Sequence, residues 1–414
     1  MDQTERRAIE ALRTGVPNRD AVRHLGTDQR PIEGRFLDAL SQVAGERTHG
    51  RQLPGLLVAG DFGAGKSHLL EWLQHIALEQ NFACSKVVIS KESPLSHPHR
   101  VFRTAIHALR LPQLVGGLEE VALRLAPGSV AYEQAWQRVE DPQLGFDPLF
   151  QATLAVYHRT DDVEVHSKII GFWRGDRIDM AELRSWMKAM RIPGQVRQRR
   201  IADLALPRFR FAAELMAAAG FAGWVVLLDE LELIASFSLL SRAAAYRTLA
   251  ELLGLVPGQQ QPGVFVVGAV TSDLAQVVFD ERRDQERIPQ RLLERQPELV
   301  RAATAGMDVL RPGSAQLLQL EPISQEGLAR VGATVRGLYA RAYQWAPPPD
   351  EVRMRERSLR MRQYVRDWIT RWDLLRLDPS YQPEIETEAY VPDLGERRDL
   401  ERTSELDSGD VDAG

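Results

Sequence analysis

With 414 residues, 44% of them hydrophobic and 26% charged, the chain is long enough for two or three domains and has the composition of a soluble globular protein. No apolar run approaches the roughly 18 residues of a membrane span, the charged start MDQTERRAIEALRTG lacks the apolar core of a secretory signal, and the single cysteine, Cys84, excludes an intrachain disulfide or a cysteine-based zinc site. A reducing, cytoplasmic setting follows. The net charge of −5 resides in residues 391–414, where eight acids against three arginines give −5, so the rest sums to zero. Only five of the 52 basic residues are lysines (Lys66, Lys86, Lys91, Lys168, Lys188), so a lysine stands out where arginine is the habit.

Residues 1–50 read as amphipathic helices, with Ile9, Leu12 and Val16 in the first, stopped by Pro17, and Phe36, Leu37, Leu40 and Val43 in a later one. Residues 51–95 open a core: a short apolar strand at 56–59, a glycine-rich turn, a helix with Leu69, Leu70, Leu73, Ile76 and Ala77 at helical spacing, and a second strand at 83–90. Residues 96–215 form a mainly helical insertion, with helical periodicity over 97–111, 118–125, 131–157 (interrupted at Pro142 and Pro148) and 180–190, and nothing that reads as sheet. Residues 216–322 return to the core. GWVVLLDELELI begins there as a buried strand, a helix covers 241–255, GVFVVGAV makes a third strand ending at Thr271-Ser272-Asp273, and a last strand at 316–320 precedes Pro322. A helical lid over 323–380 and an extended, disordered acidic tail over 381–414 complete the chain. Apolar strands separated by helices indicate an α/β fold with a parallel sheet covered on both faces.

Gly60-Asp61-Phe62-Gly63-Ala64-Gly65-Lys66-Ser67 fits G-x-x-x-x-G-K-[ST] between a predicted strand and a predicted helix. Glycines let backbone N–H groups close on phosphate oxygens, and the helix N-terminus adds a favourable dipole. Lys66 supplies a charge to the β- and γ-phosphates and the Ser67 hydroxyl ligates magnesium; His68, next along, completes the cofactor-binding stretch. The run ending in Asp229-Glu230 puts Asp229 at a strand tip, where it can hold Mg2+ through water, with Glu230 as general base on the attacking water. Glu232 is a weaker rival for that base, on the face of Glu230 if the strand continues. Thr271 and Ser272, at the end of the third strand, are read as contacting the γ-phosphate or the attacking water. Arg282, Arg283, Arg287, Arg291 and Arg295 are candidates for a transition-state finger in a neighbouring subunit, and Arg330 or Arg336 for sensing nucleotide from the lid.

Two arginine-dense stretches, RIPGQVRQRR (191–200) and 353–371, leave two readings open. Aromatics interleaved with arginine contact a nucleic-acid backbone and its bases, or Met354, Met361, Tyr364, Val365, Trp368 and Trp372 form the buried stripe of an amphipathic helix, which is the simpler account. His97 and His99 lack companion metal ligands.

RRAIEALRTGVPNRDAVRHLG (6–26), GDFGAGKSHLL, VVISKESPLSHPHRVFRTAIHAL and GWVVLLDELELI together resemble the ATP-binding proteins of BREX phage-resistance systems, of the BrxC/BrxD type, over nearly the whole chain except the acidic tail. The resemblance implies a P-loop core of the additional-strand class, like those of AAA+ or ORC/STAND-type ATPases, with a helical insertion and a C-terminal helical domain. It also implies ATP and Mg2+ as cofactors, held by Gly60, Gly65, Lys66 and Ser67 and by Asp229 with Glu230. Further implications are a role in bacterial defence against phage and, as partners, the helicase, methyltransferase and phosphatase-like proteins of the same system. The leading expectation is an ATPase that remodels or loads a DNA-associated complex as a homo-oligomer, completing its site in trans. The other is a slow-hydrolysing, ATP-gated switch that docks partners through its insertion and C-terminal helices. A small-molecule kinase is disfavoured, because Glu230 suits water activation.

Overall fold

Apolar runs bounded by glycines or polar turns become the strands of one sheet. The computed structural model describes residues 3–14, 19–348 and 361–380. Its strands are β1 (Leu56–Ala59), β2 (Ala83–Val88), β3 (Leu109–Arg110), β4 (Trp224–Asp229), β5 (Val264–Val270) and β6 (Leu317–Gln319). They lie in the order β3-β2-β4-β5-β1-β6. All pairings are parallel except that of β3, which runs antiparallel to β2 with Arg110 opposite Cys84. This edge strand corrects the expectation of an insertion without sheet: the helix expected over 97–111 stops at His107, and two residues are too few to display an alternation.

Every residue of β4 and β5 is buried, which is why both read as unbroken apolar runs rather than alternating ones. On one face, Phe36 and Leu40 of the helix Arg30–Thr48 and Leu70 and Leu73 of the helix Lys66–Glu79 pack with Val58, Val225, Leu227, Phe265 and Val267. On the other, Leu57, Val87, Val226, Leu228 and Val266 join a larger core shared with the insertion. The insertion helix Ala205–Ala218 is anchored by Phe209, stacked on Trp224 at 5.3 Å. Glu214 on the same helix, fully buried, accepts from Arg47 at 2.7 Å and Arg138 at 3.0 Å. Side-chain caps start four of the insertion helices: Ser129 for Val130–Glu140, Asp147 for Pro148–His158, Asp162 for Val163–Arg174 and Asp179 for Met180–Ala189.

A separate core joins the two ends of the chain. Ile9 of the helix Gln3–Thr14 packs with Leu328, Leu338 and Tyr339 of Gln325–Tyr343 and with Tyr364, Trp368 and Trp372 of Met361–Leu377. The aromatics of that last helix are therefore a buried stripe and offer no face for stacking bases. Val16 with Pro17, residues 353–360 and the acidic tail 381–414 lie outside the described residues. Among the described residues no helix is long and apolar enough to cross a membrane.

Candidate functional site

Because β1, β4 and β5 are parallel, their C-terminal ends share one edge of the sheet, and β5 lies between the other two. The glycine loop after β1 and the acids after β4 therefore face one another around the tip of β5, in the kind of crevice where open α/β sheets bind ligands. Gly65 precedes the helix Lys66–Glu79 with φ 102°, a conformation that side chains rarely adopt. A Cβ on Gly60 would lie 2.5 Å from the Leu320 side chain, so the loop begins pressed against the chain leaving β6. Ala64 N–H donates to the Asp61 carbonyl at 3.0 Å, closing the bend.

Lys66, 7% exposed, donates through Nζ to the carbonyls of Gly60 (2.9 Å) and Asp61 (3.2 Å). Burial pushes its pKa down, opposed by the charges of Glu232, Asp229, Asp273 and Asp61, which places four carboxylates within electrostatic reach of one ammonium. His68 is committed elsewhere: its Nε2 meets the Gly26 carbonyl at 2.7 Å, tying the loop helix to the segment before Arg30–Thr48. That segment also meets the helix Gln325–Tyr343, through Arg330 to Asp28 at 2.7 Å, and the chain leaving β6, through Gln29 to the Glu321 carbonyl at 2.9 Å. The Arg336 guanidinium donates to the Pro347 carbonyl at 2.8 Å.

Asp229, the last residue of β4, is buried, and one of its oxygens accepts the Glu230 N–H at 3.1 Å. Glu230 is exposed with φ 60°, so the strand ends there in a left-handed turn. Desolvation, then the Asp229 charge, raises its pKa, with Lys66 and Lys86 opposing. The next residues wind into a 3-10 turn, Leu231–Ser236, which turns Glu232 inward rather than along a strand face. Glu232 is 8% exposed, one of its oxygens has no hydrogen-bond partner, and burial pushes it up to about 7, with Lys66 the foremost opposing charge. Thr271, just past β5, is buried with its hydroxyl unpartnered, while Ser272 is exposed. Leaving a buried hydroxyl unpaired costs about 1–3 kcal/mol, so this group calls for an external acceptor or donor.

The arginines after β5 are engaged locally. Arg282 donates to the Ala235 carbonyl, Arg283 pairs with Glu286, Arg287 donates to the Arg282 carbonyl and Arg291 pairs with Glu294 at 2.9 Å. The Arg295 side chain lies outside what is described.

Two residues escaped the motif search. Asp273 acts on Lys66 from the turn after β5. Lys86, on β2, lies 3.4 Å from Asp229 and 3.9 Å from Glu71 and donates to the Ser67 carbonyl at 3.3 Å, so one ammonium touches both residues read as magnesium ligands. Its rarity as a lysine was the one available signal. A cavity of about 420 Å³, lined by Glu71, Gln74, Lys86, Val88 and Arg110 among others, leaves it room to move. Lys86→Met is expected to lower stability by about 1–3 kcal/mol, since Asp229 and Glu71 lose a half-buried countercharge. Thermal melts should show millimolar Mg2+ recovering more of this loss in the variant than it adds to the wild type.

Glu232 and Glu251, the latter on the helix Leu239–Leu252, are both pushed up to about 7 by burial. A carboxyl with a raised folded-state pKa binds more protons folded than unfolded, so stability is full below its ordinary value of 4.5 and is lost as pH rises toward 7. Melting temperature should accordingly fall between about pH 4.5 and 7. Glu232→Gln with Glu251→Gln should flatten that slope; an unchanged slope would assign it to other groups.

A hard dication takes oxygen donors, and the Ser67 hydroxyl and the Asp229 carboxylate are groups of that kind. Among the described residues no three His, Cys, Asp or Glu side chains converge to hold a metal by themselves, so a dication here would draw further ligands from a bound phosphate. An α/β protein with a mostly parallel sheet, compatible with a P-loop nucleoside triphosphatase, is what the architecture defines. The model of one protein family, described as BREX system ATP-binding protein BrxC/D, matches residues 1–122 and 130–384, and the chain belongs to that family. It is an ATP-binding protein of a BREX system. No match was found among curated proteins.

Proposed function

We propose that the chain is a Mg2+-dependent ATPase of the additional-strand, AAA+-like class, working in BREX phage defence. What carries the reading is the convergence of Lys66, Asp229, Glu230 and the unpartnered Thr271 hydroxyl around the tip of β5, the strand between loop and acids. Backbone N–H groups from Gly60 to Ser67 take the phosphates, and Lys66, released from its own loop carbonyls, neutralises the β- and γ-oxygens. Ser67 and Asp229 hold the metal. Bound Mg–ATP supplies the electrophilic γ-phosphorus and the charge neutralisation that phosphoryl transfer needs. Glu230 accepts a proton from the attacking water; its raised pKa makes it a better base than an ordinary carboxylate. Thr271, with Ser272 beside it, donates toward the γ-phosphate or that water.

The cycle drives remodelling or loading of a DNA-associated complex with the system's helicase, methyltransferase and phosphatase-like proteins. The chain works as a homo-oligomer in the cytoplasm, and an arginine from the segment after β5 completes a neighbour's site in trans. In domain terms, 51–95 and 216–322 form the ATPase core, 1–50 the N-terminal helical segment, 96–215 the insertion, 323–380 the lid and 381–414 the tail. A second reading, a slow ATP-gated switch, draws on Lys86, whose ammonium already opposes the Asp229 charge. ATPase rate with and without Mg2+, duplex DNA and partner proteins, with the mass measured in ATP, separates the two. Metal-dependent turnover supports the first; negligible turnover under every condition with ATP bound leaves the switch.

A further inference from the structure

Residues 183–202 carry six cations, Arg184, Lys188, Arg191, Arg197, Arg199 and Arg200, and no acid, although residues 1–390 as a whole sum to zero charge. All six are exposed. Arg199 is matched by Asp147 and Arg200 by Asp203, each at 3.0 Å. The other four have no carboxylate within ion-pair distance among the described residues. Chain contacts bring their positions onto one part of the surface. Arg184 and Lys188 are one turn apart on the helix Met180–Ala189. Arg184 donates to the Val196 carbonyl at 3.3 Å, bringing Arg197 alongside. Arg159 donates to the Met190 carbonyl at 2.8 Å and borders the patch without adding to its four unpaired cations.

A cation near a helix C-terminus is ordinary, because it complements the dipole. Here Arg159 already binds a carbonyl at that end, so Lys188, Arg191 and Arg197 are surplus to it. Two of the nearby acids are occupied: Asp162 caps Val163–Arg174, and Glu182 pairs with Lys168 at 2.7 Å. Trp186 and Met190 turn partly into the core, so the patch offers cations without a stacking platform. Such a surface suits the evenly charged backbone of a duplex rather than the bases of a single strand.

We propose that this face of the insertion docks the phosphodiester backbone of duplex DNA without sequence preference. The inference deepens the DNA-associated reading above and rests on it for the choice of DNA over RNA.

The test is fluorescence anisotropy of the full chain with a short random-sequence DNA duplex across a salt series, with labelled-ATP binding measured in parallel. Each phosphate contact contributes about 0.9 to the log–log salt slope. Four contacts predict a slope of roughly −3.6, or about a 150-fold loss of affinity between ~50 and ~200 mM salt. The triple variant Lys188→Gln, Arg191→Gln, Arg197→Gln should retain one contact, with a slope near −0.9 and about a fourfold loss over the same range. It should bind ATP as before. Arg362→Gln with Arg366→Gln, two exposed arginines of the other arginine-rich stretch, should leave the slope intact. No duplex binding by the wild type, an unchanged slope in the triple variant, loss in the Arg362/Arg366 variant instead, or tighter binding of duplex RNA would each overturn the proposal. Normal DNA binding by a chain that fails to bind ATP would sink the nucleotide reading and leave this one standing.

Discussion

Replacement of Glu230 by Gln is expected to lower ATP turnover about 10²–10⁴-fold, the usual worth of a general base, while ATP stays bound. The amide keeps the side chain's shape but cannot take a proton. Phosphate binding is assigned to the loop from Gly60 to Ser67 and is left untouched. Glu232→Gln is the necessary comparison, because Glu232 is buried, unpaired on one oxygen and the carboxylate foremost in opposing the lowered pKa of Lys66. If Glu232→Gln costs more turnover than Glu230→Gln, the base has been assigned to the wrong carboxylate. Since the Glu230 pKa is raised, turnover should also rise with pH through a value above the ordinary carboxylate range, and that limb should disappear in the variant.

The largest stability effect should come from Asp284→Ala. Arg242 and Asp284 are both fully buried and joined by two hydrogen bonds of 2.7 and 2.6 Å, and the Tyr246 hydroxyl donates to the same carboxylate at 2.9 Å. Removing the acid strands a guanidinium in the core and costs about 3–5 kcal/mol. In melting temperature the shift is about 5 °C. Exchanging both partners for leucine, Arg242→Leu with Asp284→Leu, should recover part of that loss, since no charge is then left unpaired. Thermal unfolding of the three proteins checks it; equal losses for the single and double variants would show that the pair matters for its shape alone. Arg242 also donates to the Phe237 carbonyl at 2.6 Å, and Arg282 to that of Ala235, so this pair fastens the arginine-bearing segment to the turn that carries the acids.

Legibility followed range along the chain. Strand β4 and the acids at its end could be read from WVVLLDE, and the loop from GDFGAGKS, because a buried parallel strand and a glycine bend are written in consecutive residues. The helix 361–377 was equally open to reading as a core stripe, since its period is local. Strand β3 was not, having two residues and therefore no period.

By itself the sequence determined an α/β chain with a glycine loop after its first strand, two acids after a later one and a helical insertion between them, since each depends on periodicity or spacing within a few turns of chain. Tertiary structure alone decided that β5 separates loop from acids and that Lys86 lies against Asp229. It also decided that Glu232 turns into the site, that His68 reaches back to Gly26, and that the first helix packs with the last two. Those are contacts between residues from 42 to more than 350 positions apart along the chain, or turns set by what a neighbouring strand leaves room for, and no local pattern records which distant surface a side chain will meet.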